Sequence, residues 1–436
     1  MQTQIQTTRL PNGITVVTDQ ALHFQAAAIS MKFAVGSAHE PEELSGISHL
    51  LEHLIFRGSD QLNGSVFQQA IGAAGANING QTNEDTTTYT ASMLNEDLGP
   101  TLKVFADVLC NPKLDEEDIK LEKQIIEQEN CRGCASCTMR DSLYAVAYPN
   151  QPLRHPVVGY EDTIESITRD DLLAYHAQHY VTGNLIVSVV SGAEHEDVVA
   201  HVKDAFANLP NGPRSAMPIF EFTPGEIGIS SGGDRAAIQI HYDLSGLTED
   251  QCRCLYYYSE ILGGHGFSKL MEELREKRGL VYSAWTFEDE IGANRFMNVS
   301  AWCDSRKITE VTDLIGKCMY DLAHNLTEQD LNEAKRRCRT SILQLLDNLT
   351  LRADMNAADE LYGVTVRDPF KRIETYLDIS LEDLRNVSQE LLKLEPAIFL
   401  GGSQRSMPSF DRVRAALKGE DAPEKPKRGR LFSLVN

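Results

Sequence analysis

The sequence predicts an α+β protein made of two copies of one unit, and three observations carry that expectation. Strand-like and helix-like segments alternate along the chain, a proline-rich stretch interrupts it near the middle, and the same order of elements recurs on either side. At 436 residues the chain is too long for one ordinary core and suits two domains of roughly 200 residues each. The interruption, Leu209 to Gly225 (LPNGPRSAMPIFEFTPG), holds four prolines, which remove backbone donors and restrict their neighbours. The expected division is a first domain over 1–210, a linker over 211–226, a second domain over 227–416 and a flexible tail over 417–436, which is charged and contains proline.

The elements repeat in order. In the first half, Ala26 to Ala34 (AAAISMKFA) reads as a strand and leads into a helix around Ser45 to Phe56. In the second, Ala236 to Tyr242 (AAIQIHY) leads into helical sequence from Gln251 to Leu262. Each half closes with a similar unit: ITRDDLLAYHAQHY from Ile167 runs into a strand at Asn184 to Val190, and ISLEDLRNVSQELL from Ile379 runs into a strand at Ala397 to Leu400. In both, a Ser or Thr precedes an acidic helix as a potential N-cap. The two closing units start 212 residues apart, close to half the chain, which favours duplication.

Composition narrows the function classes. Hydrophobic residues at 42% and charged residues at 24% give the profile of a globular protein. The balance of 41 Lys+Arg against 63 Asp+Glu, a net charge of −22, argues against nucleic acid, whose phosphates need clustered cations. An acidic interior would favour basic peptides, but a solvated acidic surface explains the same number. The start, MQTQIQTTRLPNG, has neither a basic n-region nor an apolar h-region, and no run of eighteen apolar residues follows. Nine cysteines without an export signal read as mostly reduced thiols. These features suggest a cytoplasmic protein that spans no membrane.

The informative segment is His49-Leu50-Leu51-Glu52-His53. At about 100° per residue on a helix, His53 lies roughly 40° from His49 and Glu52 roughly 60° to its other side. Two imidazoles on one face can hold a single Zn²⁺ while the carboxylate beside them serves the attacking water, and the order reverses HExxH, as in inverzincins. Catalytic zinc normally takes three protein ligands. The run Asp115 to Asn130 (DEEDIKLEKQIIEQEN) reads as a helix in which Glu122 and Glu129, seven residues apart, share a face. Glu129 is the candidate third ligand, and Glu122 the candidate partner that orients a histidine. An HxxEH string is also often an exposed helix face, and an acidic helix is usually just solvated.

Other polar clusters point elsewhere. Cys131, Cys134 and Cys137 have a spacing that suits a metal or iron–sulfur site, yet no fourth ligand is evident, and incidental cysteines at a helix end are the plainer reading. Cys252 and Cys254 read as packing residues. His176 and His179 read as helix-surface histidines. Gly263-Gly264-His265-Gly266 lacks the lysine and hydroxyl of a phosphate loop and reads as a helix-breaking turn.

With these residues in place, the sequence resembles the pitrilysin family of metallopeptidases, the inverzincins that include mitochondrial processing peptidase and insulin-degrading enzyme. The family pattern is HxxEH with glutamates 69 and 76 residues after the second histidine; from His53 those positions are Glu122 and Glu129. The resemblance runs from Leu10-Pro11-Asn12-Gly13 to about Leu392 and includes Gly36-Ser37 with Glu40 ahead of the active helix. Gly75-Ala76-Asn77-Ile78-Asn79 followed by Thr82 resembles the strand with which family members grip peptide by adding its backbone to a sheet edge, which makes Asn79 and Gly80 candidate substrate contacts. The chain departs from the pattern there, with Gly80 in place of alanine and Asp85 in place of glutamate.

Leu274-Arg275-Glu276-Lys277-Arg278-Gly279-Leu280-Val281-Tyr282-Ser283 resembles the family's arginine–tyrosine segment. On the residues alone, Arg278 is a surface cation and Tyr282 a half-buried strand aromatic. The resemblance implies that Arg278 binds a substrate carbonyl and Tyr282 donates a hydrogen bond to the developing oxyanion. It further implies two homologous domains, each a mostly antiparallel sheet packed with helices, forming half of a clamshell. It implies one Zn²⁺ per chain, held by His49, His53 and Glu129, with Glu52 as general base. The partner half would be a second copy of the chain, or a related metal-free subunit. The expected function is a zinc-dependent endopeptidase acting on short or unfolded peptides; the alternative is a non-catalytic peptide-binding or scaffold subunit that pairs with another family member.

Overall fold

Strands in the computed structural model, which describes residues 4–129, 135–230, 233–420 and 432–433, form two six-stranded sheets. The first contains β1 (Gln4–Arg9), β2 (Thr15–Gln20), β3 (Ala26–Phe33), β4 (Asn77–Thr82), β5 (Thr87–Leu94) and β6 (Leu185–Ser191), in the order β1-β2-β6-β3-β5-β4. The second contains β7 (Glu226–Ser230), β8 (Arg235–Asp243), β9 (Val281–Ile291), β10 (Asn294–Asp304), β11 (Ala397–Gly402) and β12 (Phe432–Ser433), in the order β12-β7-β11-β8-β10-β9. In each sheet a late strand inserts into the middle, parallel to an early one (β6 on β2, β11 on β7), and the pairings beyond it, toward β4 and β9, are antiparallel. The topologies superpose strand for strand from β2 to β6 and from β7 to β11, so the repeat read in the sequence is a duplication of architecture.

The helices that matter for the site are α1 (Ile47–Ile55), α2 (Glu116–Glu129), α3 (Ala135–Ala147), α4 (Arg169–His179), α5 (Glu249–Gly263), α6 (Leu349–Leu361) and α7 (Leu381–Leu391). The two closing units begin as their sequences suggest. Thr168 Oγ1 accepts the Asp171 N–H ahead of α4, and Ser380 Oγ accepts the Asp383 N–H ahead of α7, each satisfying a donor that the helix leaves unpaired. The glycine string ends α5 at Gly263.

His176 and His179 correct the surface reading. Both are buried: His176 Nε2 lies 2.8 Å from the Leu109 carbonyl, and the His179 ring stands 4.3 Å from that of Tyr175. Leu172, Tyr175 and Tyr180 are buried at the same helical spacing, so this face of α4 turns inward.

Two compact units cut across the halves of the chain. The first gathers Met1–Arg132, His155–Pro218 and Thr340–Ile373; the second gathers Gly133–Arg154, Ile219–Arg339 and Glu374–Asn436. Each unit thus takes a helix from the other half. In the first unit, alternate residues of β3 (Ala27, Ile29, Met31, Phe33) face the main core with Leu50, Leu51 and Leu54 of α1. The opposite face of the sheet receives α6, whose Ala353 packs with Ala21, Ala28 and Val190 and whose Ala357 packs with Val17 and Ile186. Polar groups complete this contact. Arg352 makes two 2.5 Å bonds to the buried Asp19 carboxylate, and Asp354 accepts from Ser30 Oγ at 2.9 Å and pairs with Lys32 Nζ at 3.0 Å. In the second unit, α3 packs on β7, β8 and β11, and Tyr148 just beyond it places its hydroxyl 3.0 Å from His241 Nε2.

The Arg352–Asp19 pair has a measurable consequence. Arg352→Met leaves a carboxylate buried without its counter-charge, which costs about 3–5 kcal/mol. Chemical denaturation should show that loss; a change below about 1 kcal/mol would mean that water or a neighbour replaces the guanidinium.

Candidate metal centre

Helix α1 is amphipathic, with Leu50, Leu51, Leu54 and Ile55 fully buried and the two histidines on another face beside α2. Its first turn is held from outside the helix: the Glu40 carboxylate accepts the Gly46 N–H at 2.7 Å and the Ser48 N–H at 2.8 Å. Burial pushes the Glu40 carboxyl up to about 7 against the pull of these two donors.

His49, His53 and Glu129 each offer a ligand atom, and the three atoms lie within 4.8 Å of one another. Glu129 Oε2 is 3.5 Å from His53 Nε2 and 4.0 Å from His49 Nε2. Two ligands about 2 Å from one tetrahedral ion stand ~3.3 Å apart, so the observed spread is slightly wider than shared coordination of one ion requires. Burial, with the charge of His53, pushes His49 down to about 4, so its imidazole is neutral at physiological pH, the form that ligates. Two imidazoles with a carboxylate form a donor set that fits Zn²⁺.

Glu122 stands one rank behind. Its Oε2 lies 2.9 Å from His53 Nδ1, and Arg57 donates to its other oxygen at 2.5 Å. Burial works against the Glu122 charge, but the His53 and Arg57 bonds outweigh it and hold the carboxyl below its ordinary value. The bond at Nδ1 leaves Nε2 of His53 facing Glu129, the arrangement by which an outer carboxylate fixes a ligating ring. Burial also disfavours a charged His53, yet the Glu122 bond and the charges of Glu52 and Glu129 raise its pKa overall. The side chain of Glu122 is 6% exposed and that of Glu129 47%, so the former is the fixed holder and the latter reaches the open side.

Glu52 shares the helix with both histidines. Thr82 Oγ1, on β4, donates to Glu52 Oε2 at 3.1 Å. Burial raises the Glu52 pKa, opposed chiefly by His53. β4 is the edge strand of its sheet, with Asn77, Asn79 and Gln81 outward and Ile78, Gly80 and Thr82 half-buried. A Cβ on Gly80 would stand 2.2 Å from Glu52 Oε1 and 2.7 Å from the Phe56 ring, so the carboxylate occupies the room that the missing side chain leaves.

Arg278 and Tyr282 belong to the second compact unit. Tyr282 is 84% exposed on the edge strand β9, not half-buried, with the Arg275 guanidinium 5.7 Å from its ring centroid. Arg278 donates to the Glu273 backbone carbonyl at 2.8 Å and to its carboxylate at 2.5 Å, beside the π-helical turn Met271–Glu276. Cys131 and Cys134 lie outside the described residues, as does the side chain of Cys137. Sequence reasoning did not find Thr82 as the partner of Glu52, nor Arg57 as that of Glu122. Arg57 lies two residues past the end of α1 at Ile55, so helix spacing did not mark it.

Comparison with known proteins gives the family of the chain. The profile described as insulinase, peptidase family M16, matches residues 15–161, and that described as the peptidase M16 inactive domain matches residues 166–338. The chain belongs to peptidase family M16. The first match contains His49, Glu52, His53, Glu122 and Glu129, and the second contains Arg278 and Tyr282. Among M16 relatives, a protein of Mycobacterium leprae named an uncharacterized zinc protease is 28% identical over 425 residues, covering 93% of this chain and 94% of that one. A probable mitochondrial-processing peptidase subunit beta of Arabidopsis thaliana is 24% identical over 428 residues, covering 93% of this chain and 80% of its own. The crystal structure of a protease from Helicobacter pylori, at 22% identity, shares the fold with a TM-score of 0.83 over 92% of this chain and all of that one. Among the described residues no helix is long and apolar enough to cross a membrane.

Proposed function

We propose that this M16 chain is a zinc-dependent endopeptidase hydrolysing short or unfolded peptides. The observation that carries the reading is the convergence of His49, His53 and Glu129 within 4.8 Å, with Glu52 on the same helix as both histidines. Those three side chains would hold one Zn²⁺, which when bound supplies Lewis acidity, lowering the pKa of water and polarising a carbonyl. Glu122 and Arg57 keep the His53 ring in its ligating orientation. Glu52, held by Thr82, takes the proton of the attacking water and returns it to the leaving amine. The edge of β4 at Asn79 and Gly80 pairs with an extended peptide backbone, a mode with limited demand on side chains.

Arg278 and Tyr282 serve the zinc set of a second copy of the chain, Arg278 binding a substrate carbonyl and Tyr282 donating to the forming oxyanion. A single chain carries both sets, which favours a self-sufficient homodimer over pairing with a metal-free relative, and a cytoplasmic location accompanies this reading. The test is incubation of the purified protein alone with a peptide mixture, with and without chelator, and product mapping by mass spectrometry. Cleavage that chelator abolishes and zinc restores is expected. No cleavage, together with near-zero zinc content, would instead favour the peptide-binding subunit.

A further inference from the structure

The short segment from Gly36 to Glu40 touches both parts of the candidate site at once. On one side its backbone grips the turn joining β4 to β5: the Ser37 N–H donates to the Asn83 carbonyl at 3.0 Å and the Ala38 N–H to the Glu84 carbonyl at 2.7 Å. The approach is close enough that a Cβ on Gly36 would stand 2.2 Å from the Asn83 oxygen. On the other side, Glu40 spans the Gly46 and Ser48 N–H groups at the start of α1. The residue at the N-cap position of α1 is Gly46, which has no side chain to accept those donors, so the acceptor comes from six residues upstream. The same segment therefore ties the helix that carries His49, Glu52 and His53 to the strand that carries Gly80 and Thr82.

We infer that Glu40 is a positioning residue that holds the metal helix in register with the peptide-binding edge strand. Two contacts show how little slack that register has: the 3.1 Å Thr82–Glu52 bond, and the space at Gly80 that Glu52 fills. Rotation or sliding of α1 by about 1 Å disturbs both, and displacement on that scale can cost about 10²-fold in rate. The same movement carries both imidazoles away from Glu129. The catalytic part of this inference rests on the proposed peptidase activity; the metal-binding part does not.

The test uses full-length Glu40→Gln, Thr82→Val and the double variant, each measured for zinc affinity by competition with a chromophoric chelator, for kcat and KM, and for thermal stability. Glutamine keeps the size but presents an amide N–H₂ to one of the two backbone donors. Glu40→Gln should weaken zinc binding about 10-fold or more, as loss of outer-shell support does. It should lower kcat about 10²-fold with KM little changed, and its effect should overlap non-additively with that of Thr82→Val. A variant with lowered thermal stability but wild-type zinc affinity and kcat would overturn the inference. If the wild type itself cleaves no peptide, the peptidase reading fails separately, and zinc affinity decides: weakening supports the positioning role and wild-type affinity overturns it.

Discussion

Glu52→Gln should keep its zinc and lose turnover by about 10²–10⁴-fold, the usual contribution of a positioned general base. The substitution is nearly isosteric, and the amide oxygen still accepts the Thr82 hydroxyl that holds Glu52 Oε2 at 3.1 Å. What disappears is the ability to take a proton. Burial raises the carboxyl pKa, which strengthens Glu52 as a base, and no amide reproduces this. His49, His53 and Glu129 are untouched, so metal analysis after gel filtration should match the wild type while peptide cleavage collapses. Wild-type cleavage by this variant would remove Glu52 from the mechanism.

Glu129→Gln should have the larger effect on the metal. It replaces an anionic ligand with a neutral one and leaves two imidazoles from one helix as the remaining ligands. Loss of an outer-shell partner alone typically costs 10–100-fold in affinity, and removal of a ligand charge should exceed that range. After dialysis against dilute chelator, the wild type should retain close to one zinc per chain and the variant little. Retention equal to the wild type would mean that Glu129, whose side chain is 47% exposed, is not the third ligand.

Much of this centre was legible because it obeys helix periodicity. The spacing of His49, Glu52 and His53 fixes their shared face once α1 exists, and the seven-residue interval between Glu122 and Glu129 does the same for α2. The repeat was legible through alternation and caps, as the Thr168 and Ser380 bonds illustrate. Contacts that depend on how segments distant in sequence meet left no comparable trace. Nothing local marks Glu40 as the acceptor for α1, whereas the inward turn of His176 and His179 follows the helical spacing they share with Leu172, Tyr175 and Tyr180. The exchange of α3 and α6 between units was equally hidden. A helix that covers a polar sheet face through Arg352 and Asp354 reads in sequence as an ordinary charged helix.

That exchange bears on how the molecule is made. A chain emerging from the ribosome has all of its candidate zinc ligands by residue 129, yet the sheet beneath them keeps one face bare until Leu349–Leu361 has been synthesised. With Asp19 and Lys32 awaiting their counter-charges in the meantime, the nascent first unit is incomplete, and the proposed metal capture would belong to a late stage of biogenesis. Severing the chain between Pro218 and Ile219 before folding would accordingly leave neither fragment with the helix that covers its own sheet.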